Sequence, residues 1–223
     1  MGTRTDSDGQ VPERADSVEP LIKKHGGYRN LKSFKLAQLV YDLTALFVEQ
    51  FVDARSRTRD QMVQAARSGV QNIGEGSQFS ATSSKLELSL TNAARSSQEE
   101  LRLDYEDYLR QHGYPQWGPR HPALMRFKAQ RCSTVADVLS WAESEEVRAV
   151  SLIHQPGTPA WAKTSGSGSP CRSVLLANAA LSLLNISSYL LDKQIQAQAE
   201  AFVSEGGFSE RMYRVRSQRR RSG

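Results

Sequence analysis

Helical periodicity is the sequence feature that most constrains the fold of this chain. Apolar residues recur at intervals of three and four in four long segments, which places them along one side of a helix in each case. The segments start near Ser33, Met62, Ser83 and Pro170. Because a helix with one apolar side must bury it against another element, the sequence predicts an all-α fold, an antiparallel up-and-down four-helix bundle.

Glycine and proline set the expected ends of these helices. The first helix is predicted to end near Asp53, and the third to run from Ser83 to His112 before Gly113 and Pro115. The fourth is predicted from Pro170 to about Phe202, closed by Gly206 and Gly207. Its apolar residues cover more than one face, so we expect it to be centrally buried or shared with another subunit.

The run Asn72-Ile73-Gly74-Glu75-Gly76-Ser77 is predicted to stop the second helix, because glycine tolerates the left-handed conformation in which helices commonly end. Glu75 would then lie in a loop and accept N–H bonds from the start of the third helix. Asn72 would tie the end of the second helix to a neighbouring segment. A structural role is favoured over a catalytic one for both residues.

Composition divides the chain into five parts. We expect a flexible leader at residues 1–30, the first three bundle helices at 31–113, an insertion and linker at 114–169, the fourth bundle helix at 170–205 and a basic suffix at 206–223.

The insertion contains one plausible helix, from about Ser133 to Val150, and a flexible TSGSGSP tract from Thr164. Its tryptophans are expected to pack a small satellite core. These are Trp117, Trp141 and Trp161.

Composition also excludes several classes of protein. No apolar run approaches the roughly 20 residues of a membrane span, and the N-terminus has no apolar block typical of a secretion signal, so we expect a cytoplasmic protein without membrane contact. Cys132 and Cys171 lack metal-ligand spacing and are predicted to be free thiols, with a single bridge between them as the alternative.

Arginines dominate the C-terminal suffix. Six of them, opposed by Glu210 alone, give this segment the same charge of +5 that the whole chain carries. Arginine clusters bind phosphate oxygens and release counterions from nucleic acid, and Tyr213 could stack on a base. A solvated tail that only keeps the protein soluble explains the pattern equally well. The candidate nucleic-acid-binding residues are Arg211, Arg214, Arg216, Arg219, Arg220 and Arg221.

No catalytic, metal or cofactor motif is present in the sequence. The third helix carries many acids, but none of the four histidines has the Glu three residues earlier that a di-metal bundle requires. Glu100 and Asp104, four residues apart, are predicted to form exposed or intersubunit ion pairs with arginines. We therefore expect a protein without enzymatic activity, bound metal or cofactor.

Two motifs in the second and third helices resemble a known family. Gln61, Ala65-Ala66, Ser68 and Asn72-Ile73-Gly74-Glu75-Gly76 precede Ala94-Arg95-Ser96-Ser97 and Glu100-Leu101. This order resembles the bacterial four-helix bundle proteins related to those encoded in intervening sequences of ribosomal RNA genes, in a subgroup with a C-terminal suffix domain. The residues assigned to the structural motif are Gln61, Asn72, Gly74, Glu75, Gly76, Ser97 and Glu100. Gly69, where an apolar residue is usual, and the insertion depart from the pattern.

The resemblance implies a role as well as a fold. Relatives that serve diversity-generating retroelements form pentameric barrels with a basic surface and associate with a reverse transcriptase and its RNA. By that analogy we expect a non-enzymatic homo-oligomer, on this pattern a pentamer, that acts as a scaffold or accessory protein for RNA or an RNA-processing partner. The competing hypothesis is a protein–protein interaction module without nucleic acid.

Overall fold

A computed structural model describes Ile22, residues 26–152 and residues 172–222, and within these ranges it is helical and contains no strand. The predicted all-helical class is therefore confirmed for this part of the chain. A short 3₁₀ turn at Tyr28–Asn30 precedes the first helix. The helices are α1 Lys32–Phe51, α2 Arg57–Phe79, α3 Ser84–Gln111, α4 Pro122–Gln130, α5 Val135–Leu152, α6 Arg172–Glu205 and α7 Phe208–Ser222.

The main core is built mostly from residues of α1, α2, α3 and α6, and α4 and α5 also contribute to it. Both α1 and α3 pack against α2 and also against α6. Phe47 and Tyr105 meet edge to face in the centre, with their ring centroids 5.0 Å apart. The Tyr105 hydroxyl donates to Thr44 Oγ1 at 3.1 Å, and Thr44 Oγ1 donates to the Val40 carbonyl at 2.7 Å. These two buried hydroxyls are thus satisfied.

The predicted stop in the second helix was wrong, because α2 continues through residues 72–76 to Phe79. Its glycines serve close packing instead. A Cβ on Gly76 would lie 3.3 Å from the Glu87 carbonyl oxygen of α3, and one on Gly74 would lie 3.6 Å from the Tyr28 ring. Glycine inside a helix costs about 1 kcal/mol relative to alanine, and here the close approach of neighbouring groups offsets that cost.

The third helix agrees with its prediction to within one residue at each end. Ser83 caps it by accepting a hydrogen bond from the Leu86 backbone N–H at 3.2 Å. Gly113 follows with a φ of +67°, in the left-handed region where helices commonly terminate. Local sequence signals therefore mark both ends of α3.

The described part of the insertion folds onto the main core. Trp117 and Trp141 are buried in the same hydrophobic cluster as α1, α3 and α6, so the predicted satellite core was wrong for these two residues. The sequence analysis also missed α4. Arg126 on α4 donates to both carboxylate oxygens of Glu145 on α5, at 2.6 and 2.5 Å, and Glu145 is only 2% exposed. This bidentate pair joins α4 to α5.

Asn178 of α6 fixes the chain that follows α3. Its side chain is 1% exposed and uses both ends of the amide. Asn178 Oδ1 accepts from the Trp117 backbone N–H at 2.7 Å, while Nδ2 donates to the carbonyls of Pro115 at 3.1 Å and Val174 at 2.9 Å. The segment leading into α4 is thereby held against the middle of the fold.

The two halves of α6 differ in their surroundings. Every residue from Ser173 to Leu184 is buried, whereas Ile186 and Tyr189 are exposed. The expected central burial is thus confirmed for the first half. The segment Arg172–Arg221 contains a window long and apolar enough to cross a membrane, and 72% of that window is buried inside the protein. A core helix passes the same test, so this is weak support for a membrane span.

Several predictions concern residues outside the described ranges. They include most of the leader, the Thr164 tract, Trp161, Pro170 and Cys171. The other cysteine, Cys132, is a half-buried free thiol, and burial raises its pKa.

Candidate nucleic-acid interface

A sharp bend separates α7 from α6. Gly206 has a φ of +74°, a conformation that side-chain-bearing residues rarely adopt. The Gly207 backbone N–H donates to Glu210 Oε2 at 2.9 Å, which caps the first turn of α7. Arg214 Nη2 donates to the Glu205 carbonyl at 2.9 Å and so caps the last turn of α6. The suffix is therefore an ordered helix held at a defined angle.

Two side chains on one side of α7 are buried. Arg211 is 3% exposed and Val215 is 6% exposed, and their spacing of four residues puts them on the same face. This face is turned toward the rest of the protein. The remaining sides of α7 are turned toward solvent.

Five of the six candidate arginines are exposed along α7. At about 100° per residue they cover every side of the helix except the buried one. Tyr213, which is 74% exposed, shares the outermost side with Arg216 and Arg220. The helix is thus a cationic rod with one aromatic ring among its charges. The exposed arginines are Arg214, Arg216, Arg219, Arg220 and Arg221.

Arg211 does not belong to this exposed surface. It lines a cavity of about 610 Å³ together with Lys32, Glu87 and Gln198. Gln198 Nε2 donates to Glu87 Oε1 at 3.0 Å, yet burial outweighs this bond and raises the pKa of Glu87. The sequence could not distinguish Arg211 from its neighbours, because burial depends on how α7 packs. Arg211 helps to attach the helix to the bundle.

The motif residues meet across α2 and α3. Gln61 on α2 and Ser97 and Glu100 on α3 line one groove of about 760 Å³. Beside it, Ser68 Oγ accepts from Ser97 Oγ and from Asn72 Nδ2, each at 3.2 Å. The Ser97–Ser68 bond joins the two helices, whereas the Asn72–Ser68 bond lies within α2. The prediction that Asn72 ties α2 to a neighbouring segment was therefore wrong. Glu75 lies instead on the exposed side of α2, inside the helix and not in the predicted loop.

The groove is acidic. Asp60, Glu100 and Asp104 line it together with Arg57, and no ion pair involving Glu100 or Asp104 occurs within the described residues. Burial raises the pKa of Asp104, and repulsion from Asp107 and Glu100 raises it further. The predicted pairing of Glu100 and Asp104 with arginines is thus absent within the part of the chain that the structure describes.

Gly69 makes room for a buried polar residue. A Cβ on Gly69 would lie 3.2 Å from Gln98 Cγ, and Gln98 is 2% exposed. Gln98 accordingly occupies the space that a larger residue at position 69 would fill.

A second cleft, between α4 and α6, was missed by the sequence analysis. It has a volume of about 610 Å³ and is lined by residues from the segment after α3, from α4 and from the middle of α6. No signal in the sequence marks it, because its two walls are at least 50 residues apart in the chain. The lining includes Trp117, Leu124, Lys128, Leu181, Ser182, Asn185, Ile186 and Tyr189.

Among the described residues, no group of three or more His, Cys, Asp or Glu side chains is placed to hold a metal ion. No protein-family model, curated protein or solved structure matches the chain. The family resemblance therefore depends on the motifs in the sequence.

Proposed function

We propose that this chain is a cytoplasmic, non-enzymatic accessory protein, built as an antiparallel four-helix bundle, that binds RNA through α7. The bundle would consist of α1, α2, α3 and α6, with α4 and α5 as an insertion. The contacts of α1 and α3 with both α2 and α6 support this arrangement. The short connections before α2 and α3 favour antiparallel neighbours.

The observation that carries the RNA assignment is the solvent-exposed arginine rod of α7. Arginine binds phosphate bidentately, and a helix with arginines on several sides can follow a backbone in more than one orientation. Tyr213 lies where a base could stack between Arg216 and Arg220. Binding of this kind is largely independent of sequence and sensitive to salt.

The test compares two charge-matched variants. One replaces the five exposed arginines of α7 with glutamine. The control replaces five exposed arginines elsewhere in the chain, so that both variants lose the same net charge. The control positions are Arg55, Arg57, Arg67, Arg120 and Arg131.

Fluorescence anisotropy with single-stranded RNA, repeated at several salt concentrations, provides the measurement. Five phosphate contacts give log K against log salt a slope of about −3.5, and the α7 variant should lose most of this slope. The control variant should keep it. Equal loss in the two variants would assign binding to net charge alone, and an unchanged α7 variant would refute the proposal.

The proposal includes assembly into a homo-oligomer, with a pentamer as the expectation from the resemblance. Light scattering coupled to size-exclusion chromatography measures the subunit number directly. A monomer at all accessible concentrations would overturn this part of the proposal and leave the RNA assignment intact.

A protein–protein interaction module is the second candidate function, and exposed apolar residues near α7 favour it. Val203 is 85% exposed and Phe202 is 40% exposed, close to the bend at Gly206. An acidic partner with an apolar patch would satisfy this surface and the arginines together. Retention of one protein partner after nuclease treatment of a lysate favours the module, whereas RNA co-purifying from the untreated lysate favours the accessory role.

A further inference from the structure

The cleft between α4 and α6 has the character of a ligand site. Its volume of about 610 Å³ falls within the range of small-molecule pockets. Buried apolar side chains form its base, namely Trp117, Leu124 and Leu181. Ile186 is 43% exposed and Tyr189 is 60% exposed, and both line it from α6. An apolar base beneath an exposed aromatic ring suits a flat ligand.

Ser182 supplies a polar group inside this cleft. Its side chain is 5% exposed, and its Oγ has no hydrogen-bond partner among the described residues. A serine within a helix usually satisfies its hydroxyl on a carbonyl one turn earlier, but this one does not. The Oγ atom itself is buried, so a ligand in the cleft reaches it once the Ser182 side chain rotates toward the opening. A buried hydroxyl without a partner is unfavourable, and that bond would remove the penalty.

Further polar groups surround the opening. Asn185, one residue past the fully buried stretch of α6, is exposed and offers both a donor and an acceptor. Lys128 lines the cleft and donates to the Pro119 carbonyl at 2.9 Å, which leaves other ammonium protons for an anion. Lys193 lies 5.9 Å from the Tyr189 ring centroid. Hydrogen-bonding groups and positive charge therefore accompany the aromatic surface.

From these observations we infer that the cleft holds one unpaired base of the RNA proposed to bind α7. The base stacks on Tyr189, its edge bonds to Ser182 Oγ and the Asn185 amide, and its phosphate lies near Lys128. Proteins recognise single-stranded RNA by this combination of stacking and edge contacts. The inference depends on the proposed RNA-binding function and adds a preference for unpaired nucleotides.

The position of α7 is compatible with one RNA strand reaching both sites. Leu190, next to Tyr189 in sequence, lines the same cavity as Arg211 of α7. The distance along α6 from Tyr189 to Glu205 is about 24 Å at 1.5 Å per residue. A short single strand can span this distance, so phosphate contacts on α7 and the base contact on α6 can occur in one complex.

The test uses the full chain and two RNA oligonucleotides of equal length, one single-stranded and one duplex. Tyr189→Ala should weaken binding of the single strand about tenfold, the loss expected from one stacked base, and leave duplex binding unchanged. Tyr189→Phe should preserve stacking and affinity. Phe79→Ala, which removes an exposed aromatic ring at the end of α2, is the matched control and should have no effect.

A base analogue reports on the cleft itself. Fluorescence of 2-aminopurine in the single strand should be quenched by the wild-type protein and not by Tyr189→Ala, because stacking on the ring causes the quenching. Ser182→Ala should retain quenching and reduce the difference in affinity among adenine, cytosine and uracil homopolymers.

The outcomes separate this inference from the proposed function. If the α7 arginine variant loses RNA affinity while Tyr189→Ala binds single strands as well as wild type, the base site is refuted and the RNA function stands. If neither variant nor wild type binds RNA, both fail. If Tyr189→Ala lowers the subunit number in light scattering and leaves RNA affinity intact, the surface around Tyr189 is an interface between copies of the chain, and the inference is again overturned.

Discussion

The first half of α6 and the whole of α7 differ sharply in how much of their side-chain surface is buried. Residues 173–184 of α6 are enclosed on every side, and their neighbours come from α1, α3, α4 and α5. In contrast, α7 buries chiefly Arg211 and Val215 and exposes five arginines. The difference teaches that the buried core and the proposed phosphate contacts lie in separate helices, so that substitutions of core leucines and of α7 arginines should each affect one property without the other.

The largest expected effect lies in the enclosed half of α6. Leu184 is fully buried, and Leu184→Ala should lower the free energy of unfolding by about 3 kcal/mol through lost burial and a residual cavity. Urea denaturation followed by circular dichroism measures the change. Val203→Ala on the same helix removes an 85% exposed side chain and should change stability by less than about 0.5 kcal/mol. Similar losses in both would contradict the contrast between the two halves.

A polar substitution in the same region should come next in size. Asn178→Ala removes three hydrogen bonds and leaves the Trp117 N–H and the Pro115 carbonyl without their partner. A buried polar group that loses its hydrogen-bond partner costs about 1–3 kcal/mol. We therefore expect the free energy of unfolding, measured by heat or urea, to fall by about 2 kcal/mol. Trp117 fluorescence should shift to the red as the segment loosens. An unchanged spectrum would show that Asn178 does not hold this segment.

A smaller and local effect is expected in α7. Val215→Ala should weaken the attachment of α7 by about 1 kcal/mol without lowering the stability of the bundle. Native-state hydrogen exchange should quicken for the amides of α7 alone. Tyr213→Ala removes a 74% exposed side chain and is the control expected to leave exchange unchanged. Faster exchange throughout α6 would mean that the two helices open together.

The smallest expected effect depends on pH and concerns Glu87, beneath α7. Burial raises its pKa above 4.5, so the folded state binds its proton more tightly than the unfolded state. The ionised carboxylate therefore destabilises the protein at neutral pH. Glu87→Gln keeps an acceptor for Gln198 and should raise stability slightly at pH 7. The gain should disappear as the pH falls through 4.5, as measured by urea denaturation across this range.

The sequence predicted helices where caps and apolar periodicity act locally. The bounds of α3 follow from Ser83 and Gly113, and the burial of α6 follows from its continuous apolar run. The end of α2 was mispredicted because Gly74 and Gly76 are needed for close packing against Tyr28 and Glu87, and not for a left-handed turn of the local backbone. Glycines in a helical segment can therefore indicate either a helix end or close packing against a neighbour, and only the tertiary structure distinguishes the two.

The candidate site was predicted less completely than the fold. The arginines were identified from composition alone, but Arg211 separates from them only once α7 is packed against the bundle. Nine-residue α4 has too few turns to show a clear apolar stripe. The cleft beside it joins Trp117 to Ser182 and Tyr189, and such long-range pairings leave no trace in a single sequence.

The bend at Gly206 determines how readily substitutions can change the direction of α7. The left-handed Gly206 and the Glu210 cap help to set the direction of α7, together with the Arg214–Glu205 bond and the buried face of Arg211 and Val215. Replacing Gly206 or Glu210 should change the direction of α7 relative to the bundle and leave the buried leucines of α6 in place. Single substitutions could therefore change the direction of α7 and, with it, the position of the RNA-binding surface proposed above.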